Sequence, residues 1–237
     1  MKSVFNEIDV VILCGGEGTR LRPLVSDRPK SLAVFGDTTF LDILIESLTN
    51  RGFKNFILCV GYMKDQIKDH FKKRDDISIT FSEEEVALGT GGALKNAHTL
   101  IRSETFFVLN GDSICDLDFE KFYFYHKSKN VVLSIVLVQT NKTEDFGSVK
   151  VNSSHEIISF KEKITNNTNG LINAGIYLMR EDIFSYMPKT NYFSLENDFF
   201  PKIIQEKCAG FIIKSELIDI GTPERYQKAA GFIRGKS

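Results

Sequence analysis

Residues 10–30, VVILCGGEGTRLRPLVSDRPK, decide the fold: a short apolar run empties into a glycine loop that carries arginines and closes on Pro29 and Lys30. Val10, Val11, Ile12 and Leu13 are apolar without alternation, which suits a strand buried on both faces of a parallel sheet. The loop after it then lies at the strand's carboxyl end, where open α/β sheets bind ligands. Gly15, Gly16 and Gly18 let the backbone approach a ligand closely and turn N–H groups toward it. Arg20, Arg22, Arg28 and Lys30 supply charge, so the loop reads as a cradle for phosphate. Two commoner glycine motifs are excluded. A dinucleotide fingerprint needs glycine where Leu21 stands, and a P-loop needs Gly-Lys followed by Ser or Thr.

Outward from this loop, strand-like and helix-like segments alternate, the mark of a parallel sheet with helices on both faces. Leu41, Leu44, Ile45 and Leu48 fall at helical spacing, and Gly52 closes that helix. Residues 56–60 read as a strand, Met63, Ile67 and Phe71 as a helix face, and 77–81 as a third strand. LGTGGALKNAHTLI, from Leu88, opens another helix with a glycine loop, and 106–109 runs as a strand into Asn110, Gly111 and Asp112. The second half is less regular. Strands are expected over 131–138, around Val149 and Ile158, over 171–179 and within 212–220, with a surface turn at TNNTNG, 165–170. SLENDFFPKIIQE reads as a helix that Pro201 bends or divides. Thr222, Pro223 and Glu224 start a terminal helix with an N-cap, a proline at N1 and an acid in the first turn. No repeat, low-complexity tract or linker interrupts the chain, so 1–237 is read as one unit.

The chain of 237 residues is 42% hydrophobic and 26% charged, with a formal net charge of -1. No global basic field exists, so nucleic acid is excluded as the default partner and attraction for phosphate must be local. The opening MKSVFNEIDV lacks the apolar stretch of a signal peptide, and no run approaches the ~20 apolar residues of a membrane span. A cytoplasmic protein without membrane association is expected. Cys14, Cys59, Cys115 and Cys208 show no CxxC spacing and read as free thiols of a reducing compartment. The four histidines are equally scattered, so no zinc site is expected.

Asp112 ends an apolar strand directly after a glycine, which puts its carboxylate at the same sheet edge as the first loop. Magnesium favours a small number of carboxylates together with phosphate oxygens, so one further acid is needed. Asp219, in LIDIGTPERY, has the same setting. A literal DxD stands at Asp116 and Asp118, but these acids precede the helix bearing Phe119 and Phe122, where carboxylates favour the positive end of the dipole. In FKEK, Glu162 can accept hydroxyl hydrogen bonds and Lys163 can reach a phosphate; Asn173 can do both on a sugar ring. Glu196 is divided between helix capping and sugar contact.

GGEGTRLRPLVSDRPK resembles the GGxGTRLxPLTxxxPK signature of the sugar-1-phosphate nucleotidylyltransferases, with Val25 and Ser26 as departures. The likeness continues through LGTGGAL, LNGDS, FKEK, NAGIY, SLENDFF and IDIGTPERY, nearly the whole chain, and these motifs together look most like the subgroup that uses GTP and a heptose 1-phosphate. The resemblance implies a GT-A-like, Rossmann-like α/β fold with a mixed, mostly parallel central sheet and a smaller hairpin-rich sugar lobe. It implies a nucleotide-binding part over about 1–138 and a sugar-binding part over about 139–237. Its reaction joins a nucleoside triphosphate and a sugar 1-phosphate into a nucleotide sugar and releases pyrophosphate.

By the same resemblance Arg20, Lys30 and Asp112 are catalytic, and Asp112 and Asp219 hold Mg²⁺. Leu13, Gly15, Gly16, Gly18, Thr19 and Gly89 contact nucleotide, while Gly147, Glu162, Lys163, Asn173 and Glu196 line the sugar. A sugar phosphate is already an anion, so the nucleophile needs no general base, and the lack of a Ser-His-Asp set is expected. Guanine offers two N–H donors on one edge, which a carboxylate accepts as a pair; Glu84 or Glu85 is the expected reader. Other sugar 1-phosphates and a uridylyl donor remain open. A glycosyltransferase would depend on Asp116 and Asp118 and release no pyrophosphate, and a silent binding subunit would not need the whole charged set. Homo-oligomer formation through this domain is also left open.

Overall fold

The computed structural model describes residues 3–141, 146–161, 169–204, 206 and 208–234. Among them nine strands form one mixed sheet. These are β1 (Asp9–Leu13), β2 (Asn55–Val60), β3 (Ser78–Glu83), β4 (Thr105–Asn110), β5 (Leu133–Thr140), β6 (Ser148–Val151), β7 (Ile157–Lys161), β8 (Gly170–Arg180) and β9 (Cys208–Ile213). Four parallel strands run in the order β3-β2-β1-β4, with Val11 of β1 between Ile57 of β2 and Val108 of β4.

Beyond β4 the pairing turns antiparallel, except that β9 runs parallel to β5. The carboxyl half of β8 pairs with β4, its amino half pairs with β6, and β5 runs along its other edge with β9 outside. A strand from the second half of the chain therefore lies in the middle of the sheet, beside the strand that leads to Asp112. The register of β8 shifts between Asn173 and Tyr177, around Gly175, and there β8 leaves β4 for β6. This fork is where the sheet opens toward the loops.

Burial follows the strand period. Val10 and Ile12, with Phe56, Leu58, Phe107 and Leu109, face helices α1 (Phe40–Thr49), α2 (Lys64–Phe71) and α4 (Phe119–Lys129). Val11, Ile57, Cys59, Phe106 and Val108 face α3 (Gly89–Asn96) and the segment 195–203. Helices thus cover both faces, as the continuous apolar strands require. Thr39 and Asp42 form a reciprocal capping box at the start of α1. The segment read as one helix is two pieces: a π-helical turn, Leu195–Phe199, then α5 (Phe200–Ile203), with Pro201 in the first turn of the second, where its missing N–H costs nothing. The terminal helix α6 (Pro223–Arg234) starts after Thr222 as expected. All four cysteines are buried and free, and burial pushes the Cys115 and Cys208 thiols up to about 12. No helix among the described residues is long and apolar enough to cross a membrane.

Candidate active site

The basic loop is fixed at both ends. Its first turn is tied to the end of β2, where the Cys14 amide donates to the Cys59 carbonyl at 3.1 Å and the Tyr62 amide to the Gly15 carbonyl at 3.0 Å. A Cβ at Gly15 would lie 2.5 Å from Glu84 Oε1, so a side chain there requires the Glu84 carboxylate to shift. Leu21, the residue that broke the dinucleotide pattern, is fully buried in a small core with Ala33, Phe35, Phe40, Ile220 and Ala229. It is the anchor of the loop. Arg20 and Arg22 flank it and are exposed. Arg22 pairs with Glu17 at 3.0 Å and lies over the Tyr62 ring, and Arg28 pairs with Asp27 at 2.7 Å. Arg20 hydrogen bonds to none of the described residues.

Lys30 Nζ donates to Asp112 Oδ2, and Ser113 Oγ donates to Oδ1 at 3.0 Å. Burial alone would raise the Asp112 pKa, but Lys30, Ser113 and the more distant Arg20 outweigh it and hold the carboxyl below its ordinary value. Asp219 closes the short strand Ile218–Asp219, which pairs antiparallel with Ser113–Ile114 so that Asp219 stands opposite Ser113. The Ile220 amide donates to the Asp112 carbonyl at 3.0 Å, so 108 positions of sequence separation collapse to direct contact. Asp219 Oδ1 accepts from the Gly221 amide and from Arg225 Nη1, both at 2.9 Å.

The donor set of these two acids is all oxygen, and among the described residues no group of three or more His, Cys, Asp or Glu is arranged to hold a metal ion. Two carboxylates on neighbouring strands fit a hard divalent cation that completes its shell with phosphate and water, and do not fit a closed protein cage. The DxD acids lie elsewhere. Asp118 caps α4 by accepting from the Lys121 amide at 2.9 Å, and Asp116 is exposed.

A cavity of about 350 Å³ lies between the basic loop, the end of β4 and the turn into α3. Leu13, Gly15, Gly16, Gly18, Lys30, Glu84, Gly89 and Asp112 line it; Thr19 and Arg20 stand outside the lining. The two candidate base readers separate here. Glu84 is half-buried in the cavity wall, its Oε2 accepting from the Leu88 amide at 3.0 Å, and burial raises its pKa against that hydrogen bond. Glu85 is exposed and turned to Lys64 at 2.8 Å. The second glycine loop also differs from a phosphate cradle. The amides of Gly91 and Gly92 both donate to the Phe193 carbonyl, at 3.0 and 3.2 Å, so the start of α3 is already satisfied by protein.

Outside the cavity lining, Asn173 and Glu196 are joined through side chains the sequence did not single out. Asn173 Nδ2 donates to the Tyr177 hydroxyl at 2.8 Å, and that hydroxyl donates to Glu196 Oε1 at 3.3 Å. Thr90 Oγ1 and Ser194 Oγ donate to Glu196 Oε2 at 2.7 and 2.9 Å. Glu196 thus both sits at a helix start and closes a network from the fork to α3. Gly147 accepts from the Asn173 amide at 2.8 Å. Glu162 and Lys163 lie outside the described residues. Tyr192, 68% exposed, stands at the cavity mouth, and Ser31 and Asn110 line the wall. None of these carried a spacing signal.

A family model described as nucleotidyl transferase matches residues 9–236. The chain belongs to the nucleotidyl transferase family. It is 38% identical over 226 residues to the D-glycero-alpha-D-manno-heptose 1-phosphate guanylyltransferase of Campylobacter jejuni, covering 92% of this chain and 97% of the relative. It is 37% identical over 224 residues to the enzyme of the same name from Aneurinibacillus thermoaerophilus, covering 94% and 96%. The crystal structure of HddC from Yersinia pseudotuberculosis complexed with GMP-PN is similar at a TM-score of 0.85 and 36% identity, over 95% of this chain and 99% of that one. The nucleotidyl transferase fold read from the sequence is thus the fold observed.

Proposed function

We propose that this nucleotidyl transferase moves guanylyl from GTP to D-glycero-α-D-manno-heptose 1-phosphate, giving a GDP-heptose and pyrophosphate for surface polysaccharide synthesis. One observation carries the reading: the basic loop, Asp112 and Asp219 meet at one sheet edge beside the fork that bears Asn173, in a chain similar along its length to heptose 1-phosphate guanylyltransferases.

An oxygen of the sugar 1-phosphate attacks the α-phosphorus of GTP, the new P–O bond forms, and the bond to the β-phosphate breaks to release pyrophosphate. The obstacle is the approach of two anions, so positioning and charge neutralisation do the work. Arg20 moves in from the loop surface to the α-phosphate and the leaving pyrophosphate. Lys30 holds phosphate oxygens, and Lys163 meets the sugar phosphate. Backbone groups of Leu13, Gly15, Gly16, Gly18, Thr19 and Gly89 take the nucleotide, with Glu84 as acceptor for guanine N1–H and N2–H. Gly147, Glu162, Asn173 and Glu196 face the sugar. Asp112 and Asp219 would hold Mg²⁺, which when bound neutralises phosphate charge. Residues 1–138 chiefly serve the nucleotide and 139–237 the sugar. A cytoplasmic location fits four free, buried thiols.

Pyrophosphate release across the common nucleoside triphosphates and the 1-phosphates of heptose, mannose, glucosamine, N-acetylmuramic acid and glucose tests this reading. GTP with the heptose 1-phosphate should give the highest kcat/KM. A clear preference for another pair would replace the assigned substrates.

A further inference from the structure

Asn110 is a side-chain amide without a hydrogen bond, placed at the junction of the two halves of the site. It is the last residue of β4, two before Asp112, and it lines the cavity. Its Oδ1 is fully buried and has no partner, and its Nδ2 donates to none of the described residues. A buried amide left unpaired costs about 1–3 kcal/mol, so a folded chain rarely keeps one without use. Leucine has nearly the same shape and would remove that cost.

The direction of the side chain identifies what it faces. Asn110 pairs through its backbone with Leu13 on the nucleotide side, yet its side chain leans the other way, over Gly175 of β8. A Cβ on Gly175 would stand 2.7 Å from Asn110 Nδ2 and 3.0 Å from Cγ. Gly175 also has φ of +72°, the left-handed region that disfavours other residues. A backbone turn that only glycine tolerates thus makes room for this amide, at the fork and two residues from Asn173.

We propose that Asn110 is a sugar-reading residue, whose amide hydrogen bonds a ring or side-chain hydroxyl of the sugar 1-phosphate. The inference rests on the proposed nucleotidyl transfer and adds to it a specificity-determining residue. A hydroxyl is the matching chemistry: once the amide turns about χ2 toward the cavity, a hydroxyl can donate to Oδ1 and accept from Nδ2, whereas phosphate only accepts. A site built to pair with a hydroxyl rejects the analogue lacking it.

The test compares wild type with Asn110→Leu. In thermal melts without substrate, Asn110→Leu should unfold at or above the wild-type temperature, since an unpaired buried amide has been replaced by an apolar isostere. GTP affinity by calorimetry should stay within about twofold, while KM for the sugar 1-phosphate rises about tenfold, the loss of a single good hydrogen bond. In a panel of monodeoxy sugar 1-phosphates, one deoxygenation should lower wild-type kcat/KM about tenfold and Asn110→Leu less than twofold. A lowered melting temperature, an unchanged sugar KM with normal turnover, or equal losses across the panel in both proteins would each overturn the role of Asn110 and leave the parent reading standing. No turnover by wild type with any nucleotide and sugar pair would remove the parent reading, and this inference with it.

Discussion

Lys30 and Asp112 are 82 residues apart in sequence and in direct contact in the fold, at the point where the basic loop meets the end of β4. If Lys30 binds phosphate in the transition state, Lys30→Ala and Asp112→Asn should each lower kcat about a hundredfold or more; a near-normal rate in either would reject its role. Asp112 is held below its ordinary pKa, so its pairing stabilises the fold above the usual carboxylate range and is lost as pH falls through the lowered value. Glu84 is the opposite case. Burial raises its pKa, so guanine discrimination should fade on acidification before an ordinary carboxylate would protonate. Glu84→Gln should abolish that pH dependence and reduce preference for GTP over UTP; an unchanged preference would return Glu84 to a wall residue. At this scale Lys30 and Asp112 were legible because one directly follows a proline and the other a glycine in loops next to apolar strands. Thr90 and Tyr177 were not, because their meaning comes from partners supplied by other elements, such as Glu196, 106 residues beyond Thr90; Asn110 was not, because Gly175, over which it leans, comes from another strand.

The loops of the site are held by packing, and the elements that hold them were read with uneven success. β1, β2 and β4 of the parallel half were legible from their runs of β-branched and aromatic residues, since burial on both faces leaves little room for polar ones, while the edge strand β3 is largely exposed. The same was not true of glycine. LGTGGAL looks like a second anion loop, yet its glycines are demanded by close approach: a Cβ on Gly92 would lie 2.0 Å from the Asn191 carbonyl oxygen. That oxygen is backbone and cannot swing aside. Gly92→Ala should therefore lower stability by about 1–3 kcal/mol and displace the segment around Tyr192, seen as a lower urea midpoint and faster proteolysis after Tyr192. A variant as stable as wild type would contradict this packing account. Lys95 supports the same segment, its Nζ donating to the carbonyls of Pro188, Lys189 and Thr190 at 2.8–3.1 Å. Leu21 has the equivalent task for the basic loop. Leu21→Ala should cost about 2–5 kcal/mol and loosen Arg20 as well, whereas Arg22→Ala should change stability little.

Across the whole molecule, two halves of the chain share one sheet, and the sequence showed the strands without their order. Nothing in 170–180 announces that it inserts beside 105–110; the pairing is long-range, and only the fork at Gly175 reveals why the strand changes neighbours. The same long-range packing buries His126, 1% exposed, with Nδ1 against Ser134 Oγ at 2.8 Å and Nε2 without a partner. Burial, helped by Lys127 and Arg180, lowers its pKa to about 4. The folded state keeps this ring neutral while the unfolded state protonates near its ordinary value, so stability is full above pH ~6.5 and falls as pH drops toward ~4, by about 3 kcal/mol. Urea midpoints across that window should fall in wild type and fall less in His126→Gln; parallel profiles would refute the assignment. The fate of one phosphorus atom decides whether the protein is a guanylyl transferase. With GTP labelled at the α-phosphate and the heptose 1-phosphate as acceptor, the label should pass into a nucleotide sugar in step with unlabelled pyrophosphate. Label that stays in GTP, or appears only in GMP or GDP, would contradict it.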